Sequence, residues 1–142
     1  MKIQVILGRP AAGKTRKIIN ILNGYGRKNI LFSFENTNSI VRSRGLSQNT
    51  ISIDKIKLSQ KEMERYCKNV ALQLVGIDSI ELMPDDINLQ AFAETLEKRS
   101  CKCLLITSHL DRRYSLNSIC SKRTKGLSPE FIVVTKPGDK NL

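Results

Sequence analysis

The sequence predicts a three-layer α/β fold in which a mainly parallel sheet is flanked by helices. Two observations predict it. Short apolar runs alternate with segments of helical periodicity along all 142 residues, and no repeat or low-complexity linker interrupts them. Ile3-Gln4-Val5-Ile6-Leu7 is a strand-type run, and Ile18, Ile19 and Leu22 recur at helical spacing, so a helix opens near Lys14. Asn29 to Phe34 forms a second strand ending at Glu35, Asn36 caps a short helix through Leu46, and Thr50 to Ile53 is a third strand. Ser59-Gln60-Lys61-Glu62 is a capping box that opens a helix to about Asn69. Val70 to Ile77 is an apolar strand ending at Asp78, and Pro84-Asp85-Asp86 opens a helix with Leu89, Phe92, Ala93 and Leu96 on one face. Cys103 to Thr107 and Phe131 to Thr135 are the last strands, separated by a basic stretch, Asp111 to Pro129, of little periodicity. The length suits one compact domain over residues 1–142.

Between the first strand and the first helix lies G-R-P-A-A-G-K-T, residues 8 to 15. The pattern G-x-x-x-x-G-K-[ST] between strand and helix is a phosphate-binding loop, or P-loop, because glycines let successive N–H groups converge on phosphate oxygens. The helix N-terminus adds unpaired donors and partial positive charge. Gly8, Arg9, Pro10, Ala11, Ala12, Gly13, Lys14 and Thr15 therefore form the expected ATP cradle, with Lys14 reaching the β- and γ-phosphates and the Thr15 hydroxyl ligating Mg²⁺. Ligands of open α/β sheets sit at the carboxyl ends of strands. Gly8, Glu35, Asp78 and the Ser108-His109 pair all fall at such ends.

A P-loop needs a second acidic group at the metal, and Asp78 emerges from a buried strand where that group belongs. The competing reading is a helix-capping aspartate, since Ser79-Ile80-Glu81 follows directly. Hydrolysis also needs a group that orients or deprotonates water. Glu35 is the expected base, against the alternative of an ordinary surface glutamate; Glu81 lies farther along and is expected to point away from the phosphate.

The net charge is +11. Such an imbalance favours a polyanionic partner, and sparse aromatics favour backbone contact over base stacking. Arg112, Arg113, Lys122, Arg123 and Lys125 are the expected contacts to single-stranded DNA or another nucleic acid; a solvated basic face is the alternative. No apolar stretch approaches a membrane span, the chain starts without a signal peptide, and Cys67, Cys101, Cys103 and Cys120 lack metal-ligand spacing. These features predict a cytoplasmic protein with reduced thiols and no membrane partner.

The chain resembles the RecA-like ATPase domain of DnaB-type replicative helicases, a group that includes many phage proteins; a phage-encoded member would work in the host cytoplasm. G-R-P-A-A-G-K-T is similar to the family's G-R-P-x-x-G-K-T, and I-L-F-S-F-E, ending at Glu35, resembles its V-L-F-F-S-L-E. I-D-S-I-E-L-M is similar to V-D-Y-L-Q-L-M, and L-I-T-S-H-L-D-R to A-L-S-Q-L-N-R. The resemblance implies a RecA-like P-loop fold, Glu35 as catalytic base, Asp78 as the metal aspartate and His109 in place of a γ-phosphate-sensing glutamine. It also implies a protein partner within a replication machinery. A lone histidine satisfied locally is the other reading of His109. The family's K-x-R-x-G finger segment meets Lys136 but has Gly138 at the arginine, and its ring-forming N-terminal domain has no counterpart. The expectation is a Mg²⁺-dependent ATPase acting near DNA and a poor helicase. A regulatory or assembly ATPase acting on a protein partner and a small-molecule kinase are the alternatives.

Overall fold

The computed structural model describes residues 1–25, 28–34, 45–68, 72–111 and 117–135. The six described strands are β1 (Lys2–Gly8), β2 (Asn29–Ser33), β3 (Thr50–Asp54), β4 (Leu74–Asp78), β5 (Cys103–His109) and β6 (Glu130–Val133). They form one all-parallel sheet in the order β3-β2-β4-β5-β1-β6. The helices are α1 (Lys14–Asn23), α2 (Gln60–Tyr66), α3 (Leu89–Lys98) and α4 (Ser118–Arg123), with a 3₁₀ turn over Ile80–Leu82.

Strand alternation sorts the apolar side chains onto two faces. Ile6, Leu31, Leu74 and Leu105 pack against Ile18, Ile19 and Leu22 of α1. Val5, Leu7, Ile30, Phe32, Val75, Ile77, Leu104 and Ile106 point the other way, to Met63 of α2, Phe92 and Leu96 of α3, and Cys120 of α4. The expected three layers are therefore present, and the near-continuous apolar runs of β4 and β5 reflect burial on both sides.

Phe92 lies at the centre of the larger layer, fully buried, its ring edge-to-face with Phe32 at 6.1 Å. Phe32 meets Tyr66 of α2 in the same manner at 6.4 Å. Phe92→Ala is expected to destabilise the fold by about 3–5 kcal/mol, because it removes a buried aromatic and leaves a cavity that packed neighbours fill poorly. Urea unfolding of this variant checks it; an unchanged midpoint would contradict the packing described.

The helix starts depart from expectation in one place. Ser59 caps α2, and both halves of its capping box with Glu62 are formed. Pro84-Asp85-Asp86 does not open α3: Ile87 N–H closes a turn onto the Pro84 carbonyl, and the Asn88 side chain caps the helix by accepting from Ala91 N–H. The basic stretch also contains a helix, α4, capped by Asn117. The expected helix from Asn36 lies outside the described residues. Among the described residues, no helix is long and apolar enough to cross a membrane.

The chain leaves β1 through α1 toward β2 on one side, whereas the β5–α4–β6 connection crosses β1 to the other side. This reversal places the end of β1 at the crevice where open α/β sheets bind ligands.

Candidate functional site

The site starts where β1 ends. In register Gly8 stands directly beside His109 of β5, and the Leu110 N–H donates to the Gly8 carbonyl. The loop then folds back over its own strand. A Cβ on Gly8 would lie 3.0 Å from Lys14 Cγ, 3.0 Å from the Val134 carbonyl oxygen and 3.2 Å from Ala12 Cβ. Only a residue without a side chain leaves the loop this path.

Gly13 sits at the N-cap of α1 in the left-handed region, with φ 95°. Among the described residues no side chain caps this helix and no acid occupies its first turn, whereas Ser59, Asn88 and Asn117 cap the other three described α-helices. The first N–H groups of α1 thus lack a side-chain acceptor at the end where a helix carries partial positive charge. Ala11 adopts φ 63° in the same loop, a conformation that a residue with a Cβ adopts at a cost.

Lys14 is buried, 7% exposed, and its ammonium donates to the Arg9 carbonyl at 3.0 Å. Burial pulls its pKa below the usual lysine value, while the nearby carboxylates of Glu81 and then Asp78 oppose that shift.

Asp78, 63 residues beyond Thr15 in sequence, meets it in space. The Thr15 hydroxyl donates to the Asp78 carboxylate at 3.1 and 3.3 Å. From β5, the buried Thr107 hydroxyl donates to Asp78 Oδ1 at 2.7 Å and accepts from Ser79 N–H at 2.6 Å. Asp78 therefore does not cap a helix; its carboxylate points to the loop and the start of α1.

Glu81 departs from the sequence expectation. Ser79 takes φ 63° and the 3₁₀ turn follows, with Leu82 N–H donating to the Ser79 carbonyl. The chain doubles back, and the Glu81 side chain points toward β5 rather than away. Its Oε1 accepts from the Ser108 hydroxyl at 2.5 Å, His109 N–H at 2.7 Å and Asn117 Nδ2 at 2.8 Å. Burial pushes the Glu81 carboxyl up, but the bonds from Ser108, His109 and Asn117 outweigh it and hold the pKa below the ordinary glutamate value. Glu81 Oε2 and His109 Nδ1 are buried without a hydrogen-bond partner among the described residues.

The basic residues divide. Arg123 is engaged within the fold: its guanidinium donates to the carbonyls of Met83 at 2.6 Å and Pro84 at 2.9 Å and to Asp85 Oδ1 at 3.0 Å. It ties α4 to the turn after β4 and is not a free phosphate contact. Lys122 and Lys125 are exposed and border an open cleft of about 600 Å³ whose walls also carry Asp85, Asp86 and Gln90. Glu35, Arg112, Arg113, Lys136 and Gly138 lie outside the described residues. All four cysteines are buried free thiols.

No model of a known protein family matches this sequence, and no curated protein does. The chemistry of the site rests on its own residues.

The donor set suits a hard, oxygen-liganded cation. A hydroxyl and one carboxylate face each other at the loop, and Mg²⁺ takes one or two carboxylates together with substrate phosphates rather than an all-protein cage. Among the described residues no three carboxylate, imidazole or thiol side chains cluster as a self-sufficient metal site. Sequence reasoning brought Lys14, Thr15, Asp78 and His109 together; it passed over Thr107 and Asn117 and misdirected Glu81. Asn117 carried the usual N-cap signal, an asparagine ahead of a helix. The six-residue length of α4 hid it, being too short to show a period.

Proposed function

We propose that this chain is a RecA-like P-loop protein that binds and hydrolyses ATP with Mg²⁺ and acts on or near DNA, as the resemblance to DnaB-type helicases implies. The observation that carries the proposal is the Thr15–Asp78 pair at the uncapped start of α1, beside the buried Lys14. Gly8 to Thr15 would cradle the phosphates, with Lys14 exchanging the Arg9 carbonyl for phosphate oxygens. Thr15 and Asp78 would hold Mg²⁺, which supplies charge neutralisation at the phosphates when bound. Glu35 is the proposed water-activating group. Lys122 and Lys125, with Arg112 and Arg113, are the proposed nucleic-acid contacts, and the cytoplasm is the proposed compartment.

Calorimetric titration with Mg-ATP is expected to show one site, and hydrolysis is expected to rise on adding single-stranded DNA, less so at high salt because the contacts are to backbone phosphates. Binding without DNA stimulation would move the reading to a regulatory ATPase acting on a protein partner. Phosphoryl transfer to a nucleoside or sugar would make it a kinase, and absence of Mg-ATP binding would end the nucleotide reading.

A further inference from the structure

Glu81 ties three elements together through one carboxylate oxygen. Its Oε1 joins the 3₁₀ turn after β4 to Ser108 and His109 at the end of β5 and to Asn117 at the start of α4. Asn117 closes the ring from the other side. Its amide also donates to Ser108 Oγ at 3.2 Å and to the His109 carbonyl at 2.5 Å, while its Oδ1 accepts from Cys120 N–H at 2.7 Å.

The backbone of His109 is therefore held at both polar groups, its N–H by a carboxylate and its carbonyl by an amide. The residue so held lies beside Gly8, where the glycine-rich loop begins. The Glu81 charge, with that of Asp78, also opposes the lowering of the Lys14 pKa that burial causes. One carboxylate thus touches the segment beside the loop, acts on the loop lysine and anchors the helix that leads away.

A purely structural clamp would use both carboxylate oxygens. Here three donors crowd onto Oε1, and the buried Oε2 has no partner among the described residues. The His109 imidazole is in the same condition at Nδ1. Buried polar atoms are ordinarily satisfied, so two orphans on residues joined by the His109 N–H bond call for a role beyond packing.

We infer that Glu81 is a positioning residue for His109: it fixes the backbone that carries the imidazole, the imidazole registers the terminal phosphate, and Asn117 links that state to α4. This inference rests on the nucleotide reading of the loop; it adds a residue that sequence comparison with helicases would not select, since the resembling segment has glutamine there.

The chain has a single histidine, so its two ring C–H resonances report the site without ambiguity. Proton NMR of the full chain with Mg-ATP and with Mg-ADP should show His109 signals at different positions for the two nucleotides. In Glu81→Ala that difference should vanish while calorimetry still shows Mg-ATP binding. Turnover in that variant should fall by about 10- to 100-fold, the scale seen when a supporting partner of a site residue is removed, with the loss in kcat rather than KM. Glu81→Gln should recover part of both signals, because its amide oxygen still accepts from His109 N–H and Ser108. The double variant Glu81→Ala/Asn117→Ala should lose no more than the worse single variant, as expected for members of one unit.

An unchanged ATP–ADP difference in a folded Glu81→Ala, or losses that multiply in the double variant, would overturn the inference. So would a wild-type protein that binds Mg-ATP but gives the same His109 signals for both nucleotides, and this result would leave the nucleotide reading standing. Failure of the wild type to bind Mg-ATP at all would remove that reading and this inference with it.

Discussion

Lys14→Ala is expected to abolish ATP turnover and to weaken Mg-ATP binding by at least about a hundredfold, the result of removing the principal cation from the terminal phosphates. The buried position of Lys14 sharpens the expectation. Its stem runs over Gly8 and, among the described residues, its ammonium donates to the Arg9 carbonyl alone, with the Glu81 and Asp78 carboxylates acting on it. A desolvated ammonium interacts with incoming phosphate in a lower dielectric than a surface lysine would. Neutral truncation leaves the charges of Glu81 and Asp78 near the loop without that opposing cation. Lys14→Arg is a poor rescue, because the larger planar guanidinium must fit where the lysine stem already touches the strand end. Calorimetry with Mg-ATP, alongside circular dichroism to confirm folding, measures the effect. Tight ATP binding by a folded Lys14→Ala protein would refute the assignment of the loop.

Asp78→Asn is expected to leave the fold intact and to remove Mg²⁺-dependent turnover, by roughly three orders of magnitude or more if the metal charge is what stabilises the transferring phosphoryl group. The substitution is nearly isosteric. Asparagine can orient its carbonyl oxygen to accept from Thr107, which donates to Asp78 Oδ1 at 2.7 Å. What it loses is the negative charge that a divalent cation needs, and its NH₂ group faces a Thr15 hydroxyl that now donates to carboxylate oxygen. Hydrolysis measured across a Mg²⁺ titration separates the outcomes. Activity restored at high Mg²⁺ would mean weakened metal affinity, and activity unchanged at every Mg²⁺ concentration would remove Asp78 from the site.

Much of this architecture was legible because burial on both faces leaves long apolar runs. Strands β1, β2, β4 and β5 are such runs, and the residues ending them lie at one rim of the sheet by the geometry of parallel strands. Thr15 and Asp78 could therefore be brought together across 63 residues without a contact being known. Glu81 resisted the same reasoning. Its direction depends on a left-handed Ser79 and a three-residue 3₁₀ turn, and neither leaves a periodic trace. Arg123 was read from charge, yet its neighbours decide its duty: two backbone carbonyls and Asp85 occupy the guanidinium. Composition reports how many cations a chain has, and only packing reports which of them face water.

The Thr107 hydroxyl has a further consequence, one of direction. A backbone N–H can only donate and a carboxylate can only accept, so the chain Ser79 N–H to Thr107 Oγ–H to Asp78 runs one way. The Thr15 hydroxyl also donates to the same carboxylate, so its proton points to Asp78. Both hydroxyl protons are thereby committed to Asp78. The carboxylate of Asp78 thus sets the direction of both hydroxyls, one from β5 and one from α1, and leaves the Thr15 oxygen its lone pairs for a cation.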